Sequence, residues 1–276
     1  MADIRFALNH MAVPRRSLRD FFALARALGI ATVEIRNDLE GRAIADGTSA
    51  GDVRAEADRA GVSIASINAL YPFNIWNDER DAQARRLIDY AAACGAKGIV
   101  MCPLNDPAYH ASEDERLAGM RAALTALKPM LASAGVTGLV EPLGFAESSL
   151  RLKREAIDAI RSVDGLGTFA LVHDTFHHHV AGETELFPDM TGLVHVSGVV
   201  DPTIGVDRMR DPHRVLVDRR DLLDNLGQVR ALLAGRYRGP VSFEPFASEV
   251  QDMDDVAGAI RDSMEFIAGG IDRPAA

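Results

Sequence analysis

Glu141, Asp174, His195 and Glu244 each end a short apolar run, in the contexts VEPLG, HDTFHH, HVSG and FEPF. Three carboxylates and one imidazole brought together repel one another unless a cation joins them, because buried charges must be paired or metal-bound. Oxygen donors with a single nitrogen suit one borderline or hard divalent ion: Mn²⁺, Mg²⁺, Co²⁺ or Zn²⁺. The two cysteines, Cys94 and Cys102, lie in apolar surroundings and not beside these residues in sequence, so a thiolate structural zinc site is not expected. Other polar residues end earlier runs: Asn9 and His10 the first, Glu34 the second, Asn68 the third. Taken singly, a glutamate at a strand end is more often a salt-bridge or cap residue than a ligand. Four such residues on successive runs point to a site.

For these residues to meet, the runs that carry them must be neighbouring strands. Eight runs qualify: Ile4–Leu8, Thr32–Ile35, Val62–Ile67, Gly98–Cys102, Gly138–Val140, Phe169–Val172, Leu193–Val196 and Val241–Phe243. Each is short and rich in Val, Ile, Leu or Phe, as parallel strands buried on both faces must be. Helical periodicity fills most of the gaps, over Ser17–Leu28, Ser49–Ala60, Asp78–Ala93, Glu113–Ala134, Lys153–Ser162, Asp221–Ala234 and Asp252–Ala268. Several helices run through a glycine straight into the next strand, as in ADRAGVSIASI and LASAGVTGLVE. Eight strands about 30 residues apart predict a single parallel (β/α)₈ barrel, with active-site residues at the C-terminal strand ends. No GxGxxG or GxxxxGK[ST] turn favours an open nucleotide-binding sheet instead. The spacing predicts a small helix within Gly182–Met190, a long irregular loop over Val199–Asp218, one barrel domain over 1–268 and a loose tail over 269–276.

Composition narrows the partners. The chain has 276 residues, 47% hydrophobic and 25% charged, which is ordinary globular content. Thirty Lys and Arg against forty Asp and Glu leave a net charge of −10, which disfavours nucleic acid and anionic membrane faces. Neither a signal peptide nor a membrane span is recognisable, and a cytoplasmic location is expected.

The ordered series Glu141, Asp174, His195, Glu244 resembles the xylose isomerase-like TIM-barrel superfamily of sugar isomerases and epimerases, over essentially the whole chain. The resemblance is nearest to the inosose (2-keto-myo-inositol) isomerases, which implies carbohydrate metabolism and inositol catabolism. In that family the four matching residues bind one divalent metal. In its ketose epimerases the two glutamates, here Glu141 and Glu244, also act as acid and base. A histidine three residues after the aspartate touches substrate oxygens, which falls on His177, and a second glutamate six after the first falls on Glu147. Glu34 and Asn68 are looser matches. Epimerases carry an arginine shortly after the strand-seven histidine, but here the next ones are Arg208 and Arg210. Endonuclease IV, a distant relative, needs further ligands and a positive face that this chain lacks.

The chemistry this implies is enediolate formation. A polarised carbonyl acidifies the adjacent C–H; one carboxylate takes the proton and can return it to the neighbouring carbon. The expected substrate is a non-phosphorylated keto-polyol or keto-sugar, because the loops after strands seven and eight lack phosphate-binding glycines. His177, Glu147, Asn68, Arg210 and His10 are the candidate substrate contacts, with Phe73, Trp76, Phe145 and Phe246 as apolar cover. Ketose 3-epimerase, hydroxypyruvate isomerase, a dehydratase on the same site and a non-catalytic metal-binding protein stay open, as does a homo-oligomer.

Overall fold

The computed structural model describes residues 4–42 and 44–272. Its strands are β1 (Phe6–Asn9), β2 (Thr32–Arg36), β3 (Ser63–Leu70), β4 (Gly98–Met101), β5 (Thr137–Val140), β6 (Phe169–Asp174), β7 (Thr191–Val196) and β8 (Val241–Phe243). They pair in parallel, each with its sequence neighbours, and β8 closes onto β1 to complete an eight-stranded barrel. The helices are α1 (Leu18–Ala27), α2 (Ala50–Ala60), α3 (Asp78–Cys94), α4 (Glu113–Ala134), α5 (Lys153–Ser162), α6 (Thr175–Ala181), α7 (Asn225–Ala234), α8 (Ser248–Gln251) and α9 (Val256–Asp272). None of the described helices is long and apolar enough to cross a membrane.

The strand period of two sorts the side chains into two layers. Outward positions such as Ile35, Ile67 and Phe243 pack with Phe21, Leu124 and Ile157 of the helices. Inward positions on the site's side form a smaller apolar cluster, Val100, Leu139, Val172 and Leu193. Each lies two residues before Cys102, Glu141, Asp174 and His195 respectively, so it is the floor beneath them. Register completes the placement: Asp174 lies beside His195, and His195 beside Ser242, two residues before Glu244.

Turn chemistry fixes where the helices begin and end. Ser112 and Glu115 form a reciprocal capping box at the start of α4. At its end Gly135 takes the left-handed conformation, φ 65°, which lets the chain turn into β5.

Three stretches differ from the sequence expectation. The small helix is α6, and it starts directly after Asp174 and not within Gly182–Met190, because the Asp174 carboxylate caps its first amides. The chain after the long loop becomes helical at Asn225, not Asp221, and α9 is preceded by the one-turn α8. Helix α9 continues to Asp272, into the stretch expected as a tail, and residues 273–276 lie outside the described residues. The 199–218 stretch is irregular as expected, with two short 3₁₀ turns, and is pinned where Gly198 bridges Val215.

Candidate metal centre

Glu141, Asp174, His195 and Glu244 converge at the C-terminal mouth of the barrel, all buried, with one ligand atom from each lying within 4.8 Å of the others. His195 is the hub. Its Nδ1 lies 3.1 Å from Glu141 Oε1, 3.2 Å from Glu244 Oε2 and 3.8 Å from Asp174 Oδ2. Its Nε2 points the other way, 3.1 Å from each oxygen of Glu34.

Each carboxylate has one oxygen in the cluster and the other held elsewhere. Asp174 Oδ1 accepts the amides of Phe176 and His177 at the start of α6, while Oδ2 faces the cluster. Glu244 Oε1 accepts from Arg36 Nη1 at 2.8 Å and from Asn9 Nδ2 at 3.1 Å. Glu141 Oε2 accepts from the Cys102 thiol at 3.4 Å. Arg214 Nη2 crosses the top, 2.6 Å from Asp174 Oδ2 and 3.0 Å from Glu244 Oε2.

Burial alone would lower the His195 pKa, but the charges of Glu244, Glu34 and Glu141 outweigh it and hold the ring well above its ordinary value. Burial would likewise raise Glu244, but His195, Arg214 and Arg36 bring it well below the carboxylate range. Cys102 is pushed up by burial and by Glu141, so it stays a neutral thiol. Six carboxylates meet here, Glu34, Glu141, Asp174 and Glu244 with Asp38 and Asp211 behind them, against the guanidiniums of Arg36 and Arg214. An oxygen-rich donor set with one nitrogen and surplus negative charge fits a divalent cation. The four expected ligands could hold one.

The other expected residues divide. His177 sits beside the cluster on α6; its Nδ1 accepts the Gly144 amide at 3.2 Å, so the ring proton is on Nε2. Its ring packs edge-on against Phe145, and Arg210 lies over that same phenyl, 5.2 Å from its centre. Arg210 also reaches to 3.6 Å from Glu147, so His177, Phe145, Arg210 and Glu147 form one continuous rim. Asn68 is buried and donates to Glu34 at 2.9 Å instead of facing the cluster. His10 is not brought to the cluster: its Nε2 bonds the Arg16 carbonyl, its ring stacks on Phe21, and burial lowers its pKa to about 4. Of the aromatic covers, Phe73 is fully buried in the core and Trp76 packs against it, while Phe246 lies between Arg36 and Arg214.

Gly144 is fixed by close approach. A Cβ there would run into the His177 carbonyl oxygen and the Ala181 amide nitrogen. Gly144→Ala should therefore push α6 outward and cost about 1–3 kcal/mol of stability, read by urea unfolding; an unchanged midpoint would show that the loop absorbs the methyl.

Reading the residues in isolation leaves Glu34 only a loose match and passes over Arg36, Cys102 and Arg214 as parts of the centre. The first three carry a signal, since they share the inward parity of the strand ends they occupy. Arg214 carries a weaker one: it is the charged residue directly before the apolar stretch Val215–Val217.

Comparison with known proteins agrees with this architecture. The family model of the xylose isomerase-like TIM barrel matches residues 22–269. A xylose isomerase domain containing protein from Salmonella typhimurium LT2 is 32% identical, with TM-score 0.87 over 98% of this chain and 97% of that one. The IolI protein, solved with a bound zinc atom, is 18% identical, with TM-score 0.85 over 96% and 98%. D-psicose 3-epimerase from Clostridium cellulolyticum H10, solved with D-tagatose, is 14% identical, with TM-score 0.74 over 98% and 100%. No protein of curated function matches the chain.

Proposed function

The chain belongs to the xylose isomerase-like TIM barrel family, and on that footing we propose that it is a divalent-metal-dependent isomerase of uncharged keto-polyols. It moves a carbonyl or inverts a carbon, and inosose is the substrate to test first. The observation that carries this reading is the meeting of four donor atoms within 4.8 Å at the barrel mouth. The zinc in the IolI structure and the sugar in the D-psicose 3-epimerase structure support it by analogy.

Glu141, Asp174, His195 and Glu244 would hold the ion. Bound there, a divalent cation polarises a substrate carbonyl and acidifies the C–H beside it. Proton transfer then falls to the two glutamates, which differ in their surroundings. Glu141 Oε2 accepts from a neutral thiol and not from a cation, so that oxygen is the one open to take the proton. Glu244 Oε1 is held by Arg36, so it is a weak base and serves the opposite face when a carbon is inverted. Moving the carbonyl by one carbon needs only one face. His177 Nε2–H, Glu147 and Arg210 on the rim fix hydroxyls and hence register.

Charge selects against acids. Arg36 is bound by Asp38 through two contacts, at 2.8 and 2.7 Å, and by Glu244. Arg214 is bound by Asp211, Asp174 and Glu244. Neither buried fork is open to a phosphate or carboxylate, which favours a keto-polyol over hydroxypyruvate.

The test is a deuterium-exchange screen of keto-inositols and ketoses in D₂O with added Mn²⁺, followed by NMR of the products. Deuterium next to the carbonyl is expected, with a rearranged or inverted product; loss of a β-hydroxyl would mark a dehydratase. Metal binding without exchange of any member would mark a binding protein. With a turned-over substrate, His177→Ala and Arg210→Ala should each lower kcat/KM by about tenfold or more while leaving metal content intact. Wild-type kinetics in both would make this rim structural.

A further inference from the structure

A carboxylate that, among the described residues, no arginine or lysine pairs with lies beneath the cluster. Glu34, inward-facing on β2, is fully buried. Burial of an ionised carboxylate is costly unless its lone pairs are filled by donors. Its Oε2 accepts from the Ser66 hydroxyl at 2.5 Å and from the Asn68 amide at 2.9 Å. Both oxygens lie 3.1 Å from His195 Nε2. The Asn68 amide and the imidazole N–H are donors to Glu34, and the Ser66 hydroxyl completes the set. Glu34 therefore acts as an acceptor at Nε2, while Nδ1 faces the other carboxylates; when a cation takes the place of the Nδ1 proton, the hydrogen that stays on the ring is the one on Nε2, held by Glu34. Nδ1 is then the ligand atom, turned toward Glu141, Asp174 and Glu244.

We propose that Glu34 is the positioning residue of the metal centre: held by Ser66 and Asn68 from β3, it fixes the tautomer and the ring plane of His195 so that Nδ1 is presented as a ligand. This rests on the metal reading of the four-residue cluster. The physical logic is that an imidazole ligand is turned and made more basic by the group on its other nitrogen. It also accounts for Asn68, whose polar head is directed at Glu34 and not at the barrel mouth. A purely structural carboxylate could be exchanged for an amide with no effect on the cluster. Here Gln would set an N–H₂ group against donors on every side, and the ring would lose its anchor.

The experiment measures Zn²⁺ and Mn²⁺ dissociation constants by chelator competition, with folding of each variant checked by circular dichroism. Glu34→Gln should bind each ion about 10–100-fold more weakly than wild type. Ser66→Ala, a milder change that removes one donor to Glu34, should weaken binding in the same direction by a smaller factor and keeps the test open should Glu34→Gln fold poorly. In a His195→Ala background, Glu34→Gln should produce no further loss, because the residue acts through that ring. Wild-type affinity in Glu34→Gln or, where that variant does not fold, in Ser66→Ala overturns the proposal, as does an undiminished further loss in the His195→Ala background. A wild-type chain that binds neither ion overturns the metal reading itself, and so the two failures are distinguishable.

Discussion

Glu141→Gln is expected to lower substrate C–H exchange by about 10²–10⁴-fold at saturating Mn²⁺, the usual contribution of a positioned acid or base. Glu244→Gln should do the same for any reaction that uses both faces of the substrate. Saturating metal matters, because each residue is also a candidate ligand, and the variants must be compared with the ion in place. Neither loss should come from unfolding. Each change removes a negative charge from a cluster in which six carboxylates face two guanidiniums. Relieving like-charge repulsion should leave chelated Glu141→Gln melting no lower than the chelated wild type, whereas chelated Glu244→Gln should melt lower while still folding, because His195, Arg214 and Arg36 stabilise the ionised form of Glu244. The two variants should also differ. Glu244 keeps contacts from Arg36, Arg214 and Asn9, so its amide leaves two guanidiniums short of a partner. Glu141→Gln affects a neutral thiol and one flank of the His195 ring, whose Nδ1 still faces Asp174 and Glu244, and leaves no guanidinium short of a partner. Glu244→Gln is therefore the less stable of the pair. Appreciable exchange in the metal-saturated Glu141→Gln chain would remove that residue from proton transfer.

The convergence of the four candidate ligands was legible because each sits at or just past the end of a strand with an apolar residue two positions earlier: Leu139 before Glu141, Val172 before Asp174, Leu193 before His195. That pattern fixes both the face and the end of the barrel without knowledge of the packing. Glu34, Arg36 and Cys102 obey the same parity, yet their partners come from other strands, Arg36 to Glu244 across the β1–β8 closure and Cys102 to Glu141 on β5. Pairings of that range follow only from the closed sheet. Arg214 lies in irregular chain, where no period says which side chain turns inward; cation–π contact with Phe176 and Phe246 and two carboxylates decides it. His10 and Asn68 show the opposite case. Both are at strand ends, but a nearby carbonyl takes the imidazole and Glu34 takes the amide. The position of α6 was hidden because Asp174 is at once strand end, cluster member and helix cap.

Removing the ion should be visible in stability as well as in activity. A ligand that binds only the folded chain stabilises it by RT ln(1 + [L]/Kd), about 2.7 kcal/mol at a hundredfold excess over Kd. For a chain of this size each kcal/mol moves the melting point by roughly 2–4 °C, so saturating Zn²⁺ or Mn²⁺ should raise it by about 5–10 °C over the chelated protein. The purified chain should bind one ion, and His195→Ala, left with the three carboxylates, should bind it far more weakly and lose most of the shift at the same metal concentration. The reason lies in the donor set. His195 supplies the single nitrogen, and its Nδ1 stands within 3.8 Å of all three carboxylates. Without it those carboxylates lose the group around which they converge, and Glu34 is left buried with one donor fewer. Binding requires a bare imidazole nitrogen and ionised carboxylates, so affinity should fall as the solution is acidified. A melting point indifferent to both chelator and added metal, in wild type and His195→Ala alike, would assign this cluster to an ion-paired core held by Arg36 and Arg214.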